Sequence, residues 1–247
     1  MEIHQEFAAS LRMELDAKGL NYRKSSDFQG VMFRFIDSAY ATMLHEKNLH
    51  PYSQYFVYEE DVPVWYVNTL NKEAYEEIML PLVERLEEFH IRNGHIDGKV
   101  VEKQVKKRFY KDMTEDFYEK DCGKELGLQL RTFTSFKQKG KYVFLPDHRL
   151  IFQSLMMKYG MIAGNSNEIP ENILSELVDN SFISRYDLRT GSFPLEGKSV
   201  PGYLGNMTIQ IPGEQPIRRY ARMLLEFGEF SGVGIKTGIG MGAQQLQ

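Results

Sequence analysis

The residues best suited to proton chemistry are the histidines of His45-Glu-Lys-Asn-Leu-His50. An imidazole titrates near neutrality and can both give and take a proton. The segment resembles the zinc-protease motif H-E-x-x-H only at a glance. That motif needs histidines at i and i+4 on one helix face, whereas these stand at i and i+5. Pro51 also stops any helix immediately afterwards. The spacing therefore argues against a zinc protease. A helix C-terminus favours an imidazolium, which suits His45. Tyr40, Lys47, His50 and Tyr52 are close in sequence and could complete an acid–base set. The alternative is an ordinary histidine at the surface end of a helix. His4, His90, His95 and His148 have no comparable neighbours, and no Ser/His/Asp signature or carboxylate pair stands out.

A second chemical candidate closes the chain. In Phe230-Ser-Gly-Val-Gly-Ile-Lys-Thr-Gly-Ile-Gly-Met-Gly-Ala243, Val233, Ile235, Ile239 and Met241 alternate with Gly232, Gly234, Gly238, Gly240 and Gly242. Alternate residues of an extended chain point to opposite faces. The pattern predicts two short strands with one apolar face and one face of bare backbone, joined by a turn at Lys236-Thr237. Bare N–H groups beside a lysine suit an anionic backbone. The competing reading is close packing of a helix on a sheet. A P-loop is excluded because Ile235, not glycine, precedes Lys236, and a Rossmann turn because no helix follows. Two basic clusters also stand out. One is Lys99, Lys103, Lys106, Lys107, Arg108 and Lys111; the other is Arg218, Arg219 and Arg222. Such runs are most often solvated faces.

These residues need a folded frame, and the composition provides one. The chain has 247 residues, 42% hydrophobic and 13% aromatic, enough for one large domain or two smaller ones. One cysteine, Cys122, excludes a disulfide framework and fits a reducing cytosol. No apolar run approaches the ~18 residues of a membrane span, and the first residues lack signal-peptide character. The expectation is a soluble, cytoplasmic protein. Its net charge of −4 does not by itself advertise nucleic-acid binding.

In order, the chain predicts a strand over Glu2–Met13 and a helix from Ser25 or Ser26 to about Leu44. Phe28, Met32, Phe35, Ile36, Ala39 and Met43 form its buried face. Strands over Tyr52–Glu59 and Val62–Leu70 follow, then a helix capped by Asn71, then strand material in Phe89–Phe109 with turns at Asn93-Gly94 and Asp97-Gly98. That order is the ferredoxin-like βαββαβ unit, shared with RRM domains. Lys111–Gly123 reads as a polar linker. The pattern then repeats. It has a strand over Leu126–Lys137 with Lys141–Leu145 beside it, a helix from Asp147, and an inserted helix over Glu168–Asn180. Strands at Phe182–Leu188 and Met207–Ile211 flank a Gly/Pro-rich loop, and a last helix runs from Pro216 to Gly228. The glycine stretch supplies the closing strand. The expectation is an α+β chain of two tandem ferredoxin-like domains, residues 1–115 and 116–247.

Glu226-Phe-Gly-Glu-Phe-Ser-Gly-Val-Gly-Ile-Lys-Thr-Gly-Ile-Gly-Met-Gly242 resembles the C-terminal glycine-rich signature of the CRISPR-associated repeat-processing endoribonucleases, the sixth Cas family. Leu130–Pro146 with Ile151-Phe-Gln-Ser-Leu155 is similar to the opening of that family's second domain. Leu44-His45-Glu46 and His50-Pro-Tyr-Ser53 resemble its helix-end histidine and the following strand. The resemblance implies cleavage of repeat RNA in a CRISPR transcript, without metal or other cofactor. The RNA's 2′-hydroxyl attacks the adjacent phosphate, leaving 2′,3′-cyclic phosphate and 5′-hydroxyl ends. It implies His45 as general base or acid, with Tyr40, Lys47 or His50 as helper; His50 stands where many relatives have lysine. Gly232, Gly234, Lys236, Thr237, Gly238, Gly240 and Gly242 then contact RNA backbone or brace the site. Arg218, Arg219, Arg222, Lys103 and Lys107 are candidates for phosphate contacts. The implied partner is repeat RNA, with other Cas proteins of an interference complex also admitted and monomer and homodimer both open. The alternatives are a non-catalytic repeat-RNA scaffold and an RRM-like RNA binder without a CRISPR role.

Overall fold

The structure is a computed structural model, and it describes residues 6–46, 49–164, 169–195 and 197–247. The first domain starts with β1 (Phe7–Asp16), whose odd positions Leu11, Met13 and Leu15 are buried while Ser10, Arg12 and Glu14 face away. Helices α1 (Ser25–Met32) and α2 (Ser38–Glu46) follow, then β2 (Tyr52–Glu59) and β3 (Val62–Thr69). Asn71 accepts from the Ala74 amide and starts the next helical run. It comprises α3 (Lys72–Ala74), a π-wound turn (Tyr75–Met79) and α4 (Leu80–Arg85). A hairpin of β4 (Glu88–Ile91) and β5 (Ile96–Phe109) completes the sheet, in the order β2-β3-β1-β5-β4. Helices cover one face of this antiparallel sheet. Its core centres on Trp65, with the Phe28 ring 4.7 Å away and Phe56 stacked 5.6 Å from Phe28.

Helix α5 (Tyr110–Glu119) leads to a second sheet built the same way. Its strands are β6 (Glu125–Thr134), β9 (Phe182–Leu195), β10 (Lys198–Gln210) and β11 (Gln244–Leu246), ordered β11-β6-β10-β9. A small hairpin, β7 (Phe136–Gln138) and β8 (Lys141–Val143), sits beside it. Helix α6 (His148–Ile162), capped by Asp147, packs with α7 (Glu171–Asp179) and α8 (Gln215–Ser231) on one face. Both sheets have the ferredoxin-like strand arrangement, and the chain is α+β. The halves share a seam. Phe227 and Phe230 of α8 bury against Ala8, Leu70, Tyr110 and Met113. Ser53 Oγ donates to the Phe230 carbonyl at 2.6 Å, and Arg131 of β6 pairs with Glu59 of β2.

Several local expectations are corrected. The first long helix breaks after Met32, because the Asp37 carboxylate accepts from the Ala39 amide at 2.8 Å and caps a new helix. Ser25 is no N-cap; its hydroxyl accepts from the Phe56 amide. The linker Lys111–Gly123 is largely helix α5, held by buried Tyr110 and Met113 at i, i+3. Asp97-Gly98 is strand rather than turn, with the Phe89 ring lying over Gly98. The Gly/Pro loop between the later strands is instead a long hairpin, in which Gly191 faces Gly202 under Phe133. Helix α8 passes Gly228, which Leu155 and Gln244 crowd, and ends at Ser231. The glycine stretch is not the closing strand. Positive φ at Gly232, Gly234, Lys236, Gly240 and Gly242 cannot continue a strand, and β11 starts only at Gln244.

Candidate active site

His45 occupies the last turn of α2, exposed, and His50 lies just before β2, half-buried. Aromatic contacts join the two. The His45 ring is 5.2 Å from Phe33, Phe33 is 6.4 Å from Tyr52, and Tyr52 is 5.4 Å from His50. Among the described residues, His50 Nδ1 is enclosed without a hydrogen-bond partner. Burial, then the nearby charge of His45, lowers its pKa below the ordinary imidazole value, so its neutral form is favoured. Tyr52 is buried, and burial pushes its pKa up to about 12 against the opposing effect of Gln29, whose amide donates to Tyr52 Oη at 2.8 Å. The strand pairing of Tyr52 with Thr69 fixes this ring at the edge of the first sheet.

The second domain reaches the same place. After α8, Lys236 leads into a short 3-10 turn, Thr237–Ile239, that packs on β2 and α1. A methyl group added at Gly238 would lie 3.2 Å from Tyr52 Oη, and one at Gly240 would overlap Ser25. Gly232, Gly238, Gly240 and Gly242 are buried, so their bare faces meet protein; Lys236 projects into solvent. The expected open face of backbone is thus replaced by a loop seated on the neighbouring domain.

The remaining candidates are distributed elsewhere. Tyr40 turns into the core on the side of Leu44, its hydroxyl enclosed and, among the described residues, without a partner. Burial, then Glu73 and Glu77 on the following helical run, raises its pKa. Lys47 lies outside the described residues. Lys103 Nζ donates to the carbonyls of Leu82 and Val83 at 2.9 and 2.7 Å, closing the end of α4. Lys107 lies over Tyr75 and Phe7, 4.0 and 4.6 Å from the ring centres. Arg218 donates to the carbonyls of Gly213 and Cys122, Arg219 to the carbonyl of Tyr118 and to Asp121, and Arg222 to Glu226. Arg218 and Arg219 tie α8 to the segment that leaves α5, and Arg222 pairs within α8 itself. Gln29 and Phe33 were missed because the predicted helix ran through them without a special position.

Lys103→Met is accordingly expected to cost about 1–2 kcal/mol of stability through two orphaned carbonyls, while changing RNA affinity less than about twofold. Thermal melting and an RNA titration check this. A large loss of affinity at unchanged Tm would put Lys103 on the RNA surface.

The comparisons with known proteins agree with this frame. A family model described as CRISPR-associated endoribonuclease Cas6 matches residues 128–244. A Streptococcus thermophilus protein named CRISPR-associated endoribonuclease Cas6 is 32% identical over 221 residues, covering 89% of this chain and 90% of its own. A Mycobacterium tuberculosis protein of the same name is 32% identical over 243 residues, covering 96% and 77%. Among solved structures, a Cas6 product complex superposes with TM-score 0.79 at 21% identity, over 98% of this chain and 99% of that one. Thermus thermophilus Cas6 gives 0.74 at 18%, over 98% and 99%. With 32% identity to these named relatives over 89% and 96% of its length, the chain belongs to the CRISPR-associated endoribonuclease family Cas6.

Proposed function

We propose that the chain cleaves CRISPR repeat RNA without a metal, by attack of the RNA's 2′-hydroxyl on the adjacent phosphate. The products are a 2′,3′-cyclic phosphate and a 5′-hydroxyl. The observation that supports this best is the pair His45 and His50, linked through Phe33 and Tyr52 beside a loop that presents Lys236. The reaction needs a base for the 2′-hydroxyl, an acid for the departing 5′-oxygen and positive charge near the phosphorane. His50, held toward its neutral form by burial, is the base. With Nδ1 enclosed, Nε2 is the nitrogen left to receive the proton. His45, exposed at the end of α2, protonates the leaving oxygen. Lys236 supplies charge to the RNA backbone, while the buried glycines brace the site.

Incubation with cognate repeat RNA in excess EDTA tests the reading. Discrete fragments whose upstream product carries a cyclic phosphate, identified by mass, are expected. Tight binding without cleavage, or cleavage only on adding a divalent ion, sinks it. Lys236→Ala is expected to weaken binding severalfold and to reduce the salt dependence by about one phosphate contact, at unchanged Tm. An unchanged affinity would remove Lys236 from the interface.

A further inference from the structure

Lys158 lies on the apolar stripe of α6, one turn beyond Leu155 and two beyond Ile151, and its side chain is buried. Among the described residues no carboxylate pairs with it. Burying an ammonium without a counter-charge is costly, and burial alone lowers its pKa to about 7. A methionine would fill the same space without that cost, so the donors themselves explain the residue. Nζ donates to the carbonyls of Ser231 and Gly232 at 3.1 and 2.9 Å and to Thr237 Oγ1 at 3.3 Å. Those carbonyls end α8, where helical acceptors have no intrahelical partner and the dipole is negative. One turn earlier on α6, Ser154 Oγ accepts from the Gly234 amide at 2.8 Å. Helix α6 thus grips the glycine loop twice, with an acceptor and a donor.

The gripped segment is the one that reaches the histidines. Thr237 is followed by Gly238, whose absent side chain leaves room for Tyr52, and Tyr52 packs against His50. We propose that Lys158 is a positioning residue for cleavage: by fastening the glycine loop to the end of α8 it sets Tyr52, and through it the His50 ring. The inference rests on the histidine reading above for its link to catalysis. The anchoring of the loop does not depend on that reading.

Lys158→Met keeps the stem and removes the donors, and Thr237→Val removes one acceptor at constant volume. In the RNA-free chain, the His50 ring resonances, assigned with His50→Gln, are expected to shift in Lys158→Met. Single-turnover cleavage of repeat RNA at saturating protein should fall about tenfold or more, as expected for a displaced catalytic group. Affinity for repeat RNA carrying a 2′-deoxy residue at the cut should stay within about twofold, because no RNA contact is lost. Thr237→Val should show the same effects, smaller. Unmoved His50 resonances with wild-type cleavage overturn the proposal, read on Thr237→Val if Lys158→Met does not fold. So does a fall in affinity and Tm that accounts for all the lost cleavage, which is the signature of mere destabilisation. If His50→Ala cleaves normally, the histidine reading fails, while a shifted His50 ring in Lys158→Met still supports the anchoring.

Discussion

His45→Ala is expected to lower single-turnover cleavage of repeat RNA by about 10²–10⁴-fold, the contribution of a positioned general acid. Binding and folding should survive. His45 is exposed, and its ring touches Phe33 at the end of a surface helix. Substitutions at such positions move stability by about 0.5 kcal/mol or less. His50→Ala should match it in lost cleavage and exceed it in lost stability, since it removes a half-buried ring packed on Tyr52. The acid limb of the wild-type pH–rate profile should fall at lower pH than an ordinary imidazole gives, because burial lowers the pKa of His50. The same shift acts on stability. As pH drops through the ordinary imidazole range, the unfolded chain takes a proton at His50 that the folded chain resists, so folding weakens with acid. His50→Ala should flatten that dependence. Added imidazole should partly rescue His45→Ala, whose site is open, more than His50→Ala. Cleavage retained by His45→Ala and lost only in His50→Ala would overturn the assignment of two roles.

What could be read from the sequence follows the range of the interactions that decide it. Tyr52–Glu59 is a strand as expected, Asn71 caps a helix as expected, and a helix starts after Asp147 as expected, because alternation and helix-start signals act within a few residues. The break after Met32 is also local, but the apolar positions Phe35 and Ile36 kept helical spacing and masked the cap at Asp37. The glycine stretch was misread for a different reason. Its alternation is real, with Val233 and Met241 buried, yet Gly238 and Gly240 are buried as well, against Tyr52 and Ser25 from distant parts of the chain. Spacing cannot announce a partner that far away. The basic clusters show the same limit, since Lys103 and Arg218 find carbonyls that only the fold brings near. The placement of His45 at a helix end and of His50 ahead of a strand was legible because Pro51 and the strand pattern after it lie within a few residues. Lys158 carried an unused signal: Ile151, Leu155 and Lys158 share one helical stripe, and a lysine on an apolar stripe must find acceptors.

Gly242→Ala is expected to destabilise the protein by more than about 2 kcal/mol, combining the left-handed backbone penalty with overpacking. Gly242 has a φ of +71°, and an added methyl would come within 2.0 Å of the Val233 carbonyl oxygen. Relief by a local shift is blocked on both sides. The Gly242 carbonyl accepts from the Val233 amide at 2.8 Å, and its own amide donates to the Phe133 carbonyl at 3.0 Å. A fall in Tm of roughly 4–8 °C corresponds to that penalty in a chain of this size. Gly160→Ala makes the control. Gly160 lies inside α6 with nothing within 4 Å of an added methyl, so alanine there should stabilise by about 0.5–1 kcal/mol. The pair separates two uses of glycine in one chain. Calorimetry on both variants decides between them, with cleavage measured well below either Tm. If Gly242→Ala melts like wild type yet binds RNA poorly, the glycine acts by admitting the RNA backbone. If it melts early and its residual folded fraction binds normally, the glycine acts by letting the loop close on Val233 and Phe133, which is what its buried surroundings dictate.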